Sequence, residues 1–367
     1  MVGPGSGSIR GWRGSVAGAI GLLLLGCGSE TSLAGYRTVD PGAELPGEQT
    51  EDLGEDEQAT EEGTDEPGTE EGTDEPGDVL PEPFACSGKI ATKGATLTIE
   101  SGGRQRSARV HVPDSYDPDV GTMLVLNFHG YSSDDWQQEL LSGMTAAADA
   151  RGFIVVYPRG IANSFNAGQC CGTAWTDSVD DVTFTADLVA ELSDRYCVDP
   201  AQIYATGMSN GGFFAHRLAC ELSDTFAAIA PVAGVIGVEQ CEPTREVPVL
   251  HIHGTDDPLV PFDGGMPLTG WNVAGDLDFM SVEETIEMWK GIDSCAAQSQ
   301  EYFATGDSEC VQWFSCDGES EVVRCVVDGG GHTWPGGLPI PFLGKTSTDM
   351  NATDLMLDFF EAHPMPG

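Results

Sequence analysis

The chain has 367 residues, with 16 basic and 59 acidic side chains and a formal net charge of −43. A surface this acidic repels other polyanions, which excludes nucleic acid and anionic lipid headgroups as partners. The length allows two domains, but composition divides it into a targeting segment, an acidic linker and one large core.

Arg10 and Arg13 precede the apolar run Ala17–Leu25, and Leu24-Leu25-Gly26-Cys27 has the pattern of a lipobox. Residues 1–27 are therefore expected to be a bacterial lipoprotein signal, with Cys27 as the lipid attachment point. The apolar run is too short to span a bilayer, so membrane association is expected only through that anchor. Gly28 after the acylated cysteine favours the outer membrane in a Gram-negative host, giving an exported, surface-exposed protein. Residues 28–83 carry 19 acids between Glu30 and Glu82 against Arg37 alone, and TEEGTDEPG at 60–68 recurs unchanged at 69–77. Such a segment cannot bury apolar surface and is expected to be a disordered, self-repelling tether. Nothing in it supplies a rigid calcium loop.

Residues 84–364 form the expected globular domain. Short apolar runs alternate with helix-period segments, which predicts an α/β fold with a mostly parallel central sheet and helices on both faces. Residues 95–99 and 108–112 read as opening strands. Met123–Phe128 is a buried strand, residues 137–151 one helix, and Phe153–Tyr157 the next strand. Val182–Tyr196 is helical, with Phe184, Leu188 and Leu192 on one face. Ile203–Thr206, Ala227–Val232, Val247–His253 and Val322–Val327 supply later strands, and Met350–Ala362 the last helix. Of 11 cysteines, ten remain once Cys27 is set aside. In an exported domain they are expected to form up to five disulfides, with connectivity left open. No C-x-x-C occurs and the seven histidines are scattered, so no metal ion or other cofactor is expected.

Gly207-Met208-Ser209-Asn210-Gly211 joins an apolar strand to a helix-like stretch. This is the strand–G-x-S-x-G–helix layout of a nucleophile elbow, in which Ser209 occupies a strained turn. A carboxylate and a histidine should follow in that order. Val247–Ile252 empties into His253-Gly254-Thr255-Asp256-Asp257, and the H-G-T-x-D register selects Asp257 over Asp256 as the acid that orients an imidazole. His332, in the glycine-rich loop after Val322–Val327, is the expected base. The other histidines fall in strands, on the elbow helix, beside a turn or at the end of the chain. An oxyanion hole needs two backbone N–H donors, expected from Asn210 and Tyr131. Trp136, Trp175, Trp271 and Trp334 lie in long loops and are candidate cleft walls, with packing beneath the surface as their alternative role.

His129-Gly130, Val156-Tyr157-Pro158, Cys170-Cys171-Gly172, Val179–Val182, Gly207–Gly212, His253–Asp257 and Gly330–Gly336 occur in one order. Together they resemble the esterase family of feruloyl esterases and polyhydroxybutyrate depolymerase-like enzymes, over residues 84–362. The resemblance implies a disulfide-stapled α/β-hydrolase fold, a Ser209–Asp257–His332 triad, no cofactor, and carboxylic ester substrates. Those substrates are hydroxycinnamates on plant cell-wall polysaccharide or, alternatively, aliphatic polyester. Two readings from other classes are a surface-binding lipoprotein with an inactive hydrolase fold, disfavoured by the complete Ser, Asp and His set, and an exported peptidase, disfavoured by the lack of a gating domain. No sequence feature specifies an oligomeric state, and residues 263–279 read as an insertion of open role.

Overall fold

Seven consecutive buried residues make strand β3 (Thr122–Phe128), which lies near the centre of a ten-stranded sheet. The computed structural model describes residues 84–90, 94–267 and 278–366. Cys27, the acidic tether and Trp271 lie outside the described residues. The other strands are β1 (Thr96–Ser101), β2 (Arg104–His111), β4 (Ile154–Pro158), β5 (Val198–Met208), β6 (Ala228–Val232), β7 (Val249–Gly254), β8 (Ser299–Thr305), β9 (Ser308–Trp313) and β10 (Val322–Val327). The order across the sheet is β1-β2-β4-β3-β5-β6-β7-β10-β9-β8. From β4 to β10 the strands are parallel, with antiparallel pairs at both edges. The architecture is the expected α/β one.

Alternation along the central strands sends successive side chains to opposite faces. Leu124, Leu126 and Phe128 face one core together with Phe184, Leu188 and Leu192 of α4 (Asp181–Arg195), Phe214 and Leu218 of α5 (Asn210–Glu221), and Ile286 and Trp289 of α6 (Val282–Ile292). Met123 and Val125 face the second core, with Met144 and Ala148 of α2 (Met144–Arg151) and Met356, Phe359 and Phe360 of α7 (Ala352–Ala362). A short α3 (Gly172–Thr176) precedes α4.

The helix expected over 137–151 is two helices, α1 (Asp135–Ser142) and α2. Gly143 breaks it. Its φ of 63° is left-handed, and its N–H caps α1 on the Glu139 carbonyl, as glycine readily does at a helix end. The sequence reading also missed α6 and the hairpin β8–β9. Helix α6 opens with a capping box between Ser281 and Glu284, and that S-x-x-E spacing was visible in the sequence.

The described cysteines pair as Cys86–Cys197, Cys170–Cys171, Cys220–Cys241, Cys295–Cys316 and Cys310–Cys325. The last joins directly opposed residues of β9 and β10.

Candidate active site

At the carboxyl end of β5 the chain turns sharply into α5, and Ser209 takes φ 57° and ψ −123°. That backbone is costly for any residue with a Cβ and persists only where its surroundings enforce it. Here the Ser209 N–H donates to the Val232 carbonyl at 2.8 Å, and its own carbonyl accepts from Phe213 N–H at 2.9 Å. The turn is also too crowded for side chains on either flank. A Cβ at Gly207 would lie 2.5 Å from the Phe128 carbonyl oxygen, and one at Gly211 would lie 2.1 Å from the same atom. Only glycine fits either position. Ser209 itself is partly exposed.

The loop after β3 runs beside this serine. A Cβ placed on Gly130 would lie 3.3 Å from Ser209 Cβ and 3.9 Å from Ser209 Oγ. His129 holds the loop there: its Nε2 accepts from Gly160 N–H at 3.0 Å, so its Nδ1–H donates to the Gly130 carbonyl at 2.8 Å. Burial lowers the His129 pKa to about 4, against the opposing effect of the Gly130 bond, and keeps the ring neutral. Asn210 begins α5, where the first N–H groups of a helix have no acceptor within it.

Asp257 and His332 come from the loops after β7 and β10, which are neighbouring parallel strands. These loops are tied together by Thr255 N–H to the Val327 carbonyl at 3.0 Å, Asp256 N–H to the Gly330 carbonyl at 2.9 Å, and Gly329 N–H to Thr255 Oγ1 at 2.8 Å. His332 Nδ1 donates to Asp257 Oδ2 at 2.7 Å, and both residues are buried. Asp257 Oδ1 accepts from the N–H groups of Leu259 at 2.8 Å and Val260 at 2.9 Å. Burial alone would raise this carboxyl. The adjacent His332 and the hydrogen bonds from His253 and His332 outweigh it and hold the group well below the usual carboxylate range. The neighbouring Asp256 is exposed. With Nδ1 committed as a donor, the basic nitrogen of His332 is Nε2. Because β5, β6, β7 and β10 run parallel and adjacent, the loops bearing Ser209, Asp257 and His332 all leave one edge of the sheet.

The flanking wall rests on Asn210, whose side chain the sequence reading did not single out. Its amide binds both backbone groups of Phe165 and approaches Cys170 Sγ at 3.9 Å. Tyr131 packs on Gly172, where a Cβ would lie 2.4 Å from the tyrosine Cε2. Trp175 is half-buried and borders an open groove of about 600 Å³, together with Asn166, Gln169 and Arg217. Trp136 is half exposed, at 50%. Trp334 is not a cleft wall. It is fully buried in the second core, and its indole N–H donates to Thr353 Oγ1 at 3.0 Å. The Pro335 carbonyl accepts from Ala352 N–H at 3.0 Å at the start of α7, and the aromatic serves packing.

Residues 134–242 match the model of the prolyl oligopeptidase family. Among curated proteins, the chain is 35% identical over 276 residues to a Nocardia uniformis subsp. tsuyamanensis protein provisionally named as the esterase NocK, covering 70% of this chain and 79% of that one. It is 32% identical over 237 residues to feruloyl esterase B of Piromyces equi, covering 62% of this chain but only 42% of the fungal enzyme. Among solved structures, the acetyl xylan esterase of Aspergillus awamori shares the fold, with a TM-score of 0.50 at 13% identity over 73% of this chain and 99% of that one. The chain therefore belongs to the α/β-hydrolase esterase family that includes the feruloyl esterases, and it is a serine ester hydrolase.

Proposed function

We propose that this enzyme hydrolyses hydroxycinnamate esters of plant cell-wall polysaccharide through an acyl-enzyme formed on Ser209. The observation that carries the mechanism is the buried 2.7 Å hydrogen bond between His332 and Asp257, on loops that leave the sheet at the same edge as the Ser209 elbow. The substrate class rests on the relatives named feruloyl esterase.

In this reading His332 Nε2 takes the Ser209 hydroxyl proton as Oγ attacks the ester carbonyl, and Asp257 stabilises the imidazolium that forms. Negative charge develops on the former carbonyl oxygen, towards which the main-chain N–H groups of Tyr131 and Asn210 donate. The intermediate collapses, His332 returns the proton to the leaving alcohol, and an acyl-serine remains. Water, deprotonated by the same nitrogen, then attacks it and releases the acid with regeneration of Ser209. Trp175 and Trp136 are the remaining described candidates for contact with an aromatic acyl group.

We further infer that residues 84–364 form the catalytic domain, exported and held at the cell envelope by acylated Cys27 through the acidic 28–83 tether. The five cysteine pairs support an oxidising compartment. Comparing kcat/KM on methyl ferulate, p-nitrophenyl acetate, polyhydroxybutyrate oligomers and peptides tests the substrate class. Methyl ferulate should be hydrolysed with a higher kcat/KM than the polyhydroxybutyrate oligomers and the peptides. Faster turnover of the polyester or of a peptide would overturn the assignment.

A further inference from the structure

Three buried histidines outside the proposed triad form one continuous hydrogen-bonded row. His251 and His253 alternate with Leu250 and Ile252 along β7, so both point to the face covered by α5 and α6. There they meet His216 of α5 and Trp289 of α6. Trp289 Nε1 lies 3.0 Å from His216 Nδ1, His216 Nε2 lies 3.3 Å from His251 Nδ1, and His251 Nε2 lies 3.2 Å from His253 Nδ1. His253 Nε2 then lies 2.9 Å from the Val260 carbonyl oxygen and 3.5 Å from Asp257 Oδ2.

The proton positions in this row follow from its ends. An indole N–H only donates, and a neutral imidazole has one donor and one acceptor. His216 therefore accepts at Nδ1 and donates from Nε2, and the same assignment passes to His251 and then to His253. A carbonyl oxygen only accepts, so the far end independently requires the same direction. Burial favours neutral rings: it lowers the His216 pKa to about 3, opposed by a bond to the Gly234 backbone, and lowers that of His251 well below its ordinary value. The outcome at the active-site end is an N–H on His253 Nε2, 3.5 Å from the same Asp257 oxygen that accepts from His332.

We propose that His253 is a positioning residue for Asp257, held in one tautomer by the row Trp289–His216–His251. Asp257 is then gripped on every side. Its Oδ1 takes two backbone N–H groups, while Oδ2 takes His332 and faces His253. The His253 N–H also holds the Val260 carbonyl, and Val260 N–H is one of the two donors to Oδ1. A ring in the other tautomer would present a lone pair to both the carboxylate and the carbonyl, repelling the loop that carries the acid.

This inference rests on the triad reading, so the test separates the two. Wild-type enzyme is treated with a fluorophosphonate and mapped by mass spectrometry, and absence of label on Ser209 would sink the triad itself. Three variants then address the row: His253→Phe breaks it, His253→Gln keeps a donor and an acceptor at the same place, and Trp289→Phe removes the indole N–H at its far end and leaves the Val260 carbonyl to orient the row alone. Each is measured for kcat, KM, the acid limb of kcat/KM and the far-downfield proton signal of His332 Nδ1–H. His253→Phe should lower kcat by about 10- to 100-fold with KM little changed, because a small misplacement of the acid is enough. His253→Gln should restore most of the loss, and Trp289→Phe should lower kcat about two- to threefold and move the downfield signal. The proposal falls if folded Trp289→Phe leaves kcat, acid limb and downfield signal as in wild type, or if His253→Gln is no more active than His253→Phe. Should His253→Phe not fold, the glutamine and Trp289 variants decide alone.

Discussion

Asn210 grips Phe165 with both ends of its amide: Oδ1 accepts from the Phe165 N–H at 2.8 Å, and Nδ2 donates to the Phe165 carbonyl at 2.9 Å. A side chain here imitates the backbone pairing of a neighbouring strand. It fastens the segment leading to Cys170-Cys171 onto the residue that follows the serine.

Asn210→Ala should therefore act on the wall while sparing the backbone N–H assigned to the oxyanion hole. Leaving the buried Phe165 N–H unpaired, and its carbonyl with only the 3.4 Å bond from Cys171 N–H, costs about 1–3 kcal/mol of stability. Denaturant titration should show that loss, and kinetics should show KM rising more than kcat falls. A variant as stable as wild type would mean that the 165–171 segment is held by other contacts.

The adjacent aspartates should separate cleanly. Asp257→Asn should lower kcat by about 10³- to 10⁴-fold through loss of the correct imidazole tautomer, while Asp256→Asn, altering an exposed side chain, should stay within about threefold. Ser209→Ala should remove activity by at least about 10⁴-fold while the protein stays folded. Steady-state kinetics with circular dichroism on each variant checks all three. Reversed sensitivities of the two aspartates would shift the triad by one residue.

Asp293, at the end of α6, gives a pH effect on stability. Burial raises its pKa from 3.8 to about 7, against hydrogen bonds from Ser320 and the Val247 N–H. The folded state therefore holds this proton over a range where the unfolded chain has released it. Stability from this group is full below about pH 4 and declines as pH rises towards 7. Asp293→Asn should match wild type near pH 4 and exceed it increasingly up to pH 7, by a margin on the order of 3 kcal/mol. Urea unfolding at several pH values measures this, and a constant difference between the two proteins would count against it.

Anchoring is tested at the other end of the chain. Cys27→Ser should move the enzyme from membranes to the soluble fraction with its ester turnover unchanged, and metabolic fatty-acid labelling should be lost. On the proposed anchoring, a coil of about 55 residues would span about 40 Å, so the domain should remain cleavable from intact cells by added protease. Equal solubility of both proteins, with no lipid on Cys27, would remove the anchor and leave the esterase standing.

The parts of this molecule legible in the sequence are those set by local pattern. The run Met123–Phe128 announces a strand buried on both faces, and the glycines around Ser209 announce a turn that tolerates no side chain beside it. The histidine row was illegible for a physical reason. His216 and His253 are 37 positions apart, and their connection exists only because β7 and α5 pack through the same core. The spacing of His251 and His253, two apart on one strand face, was the available signal. Trp334 shows the opposite limit, since a loop tryptophan next to a base reads like a cleft wall until the fold turns it inward against Thr353.

The cross-strand bridge Cys310–Cys325 has a bearing on how the enzyme wears out. Strand β10 carries the loop of His332 on its far end, and its outer neighbour is the antiparallel hairpin β8–β9 at the sheet margin. A margin hairpin is the ordinary place for a sheet to begin peeling. The bridge binds the β9 half of that hairpin to β10, so fraying that starts at β8 meets a covalent stop one strand short of the histidine's own. Enzyme exposed to heat or protease should lose the edge before it loses turnover. A reducing agent should collapse that interval.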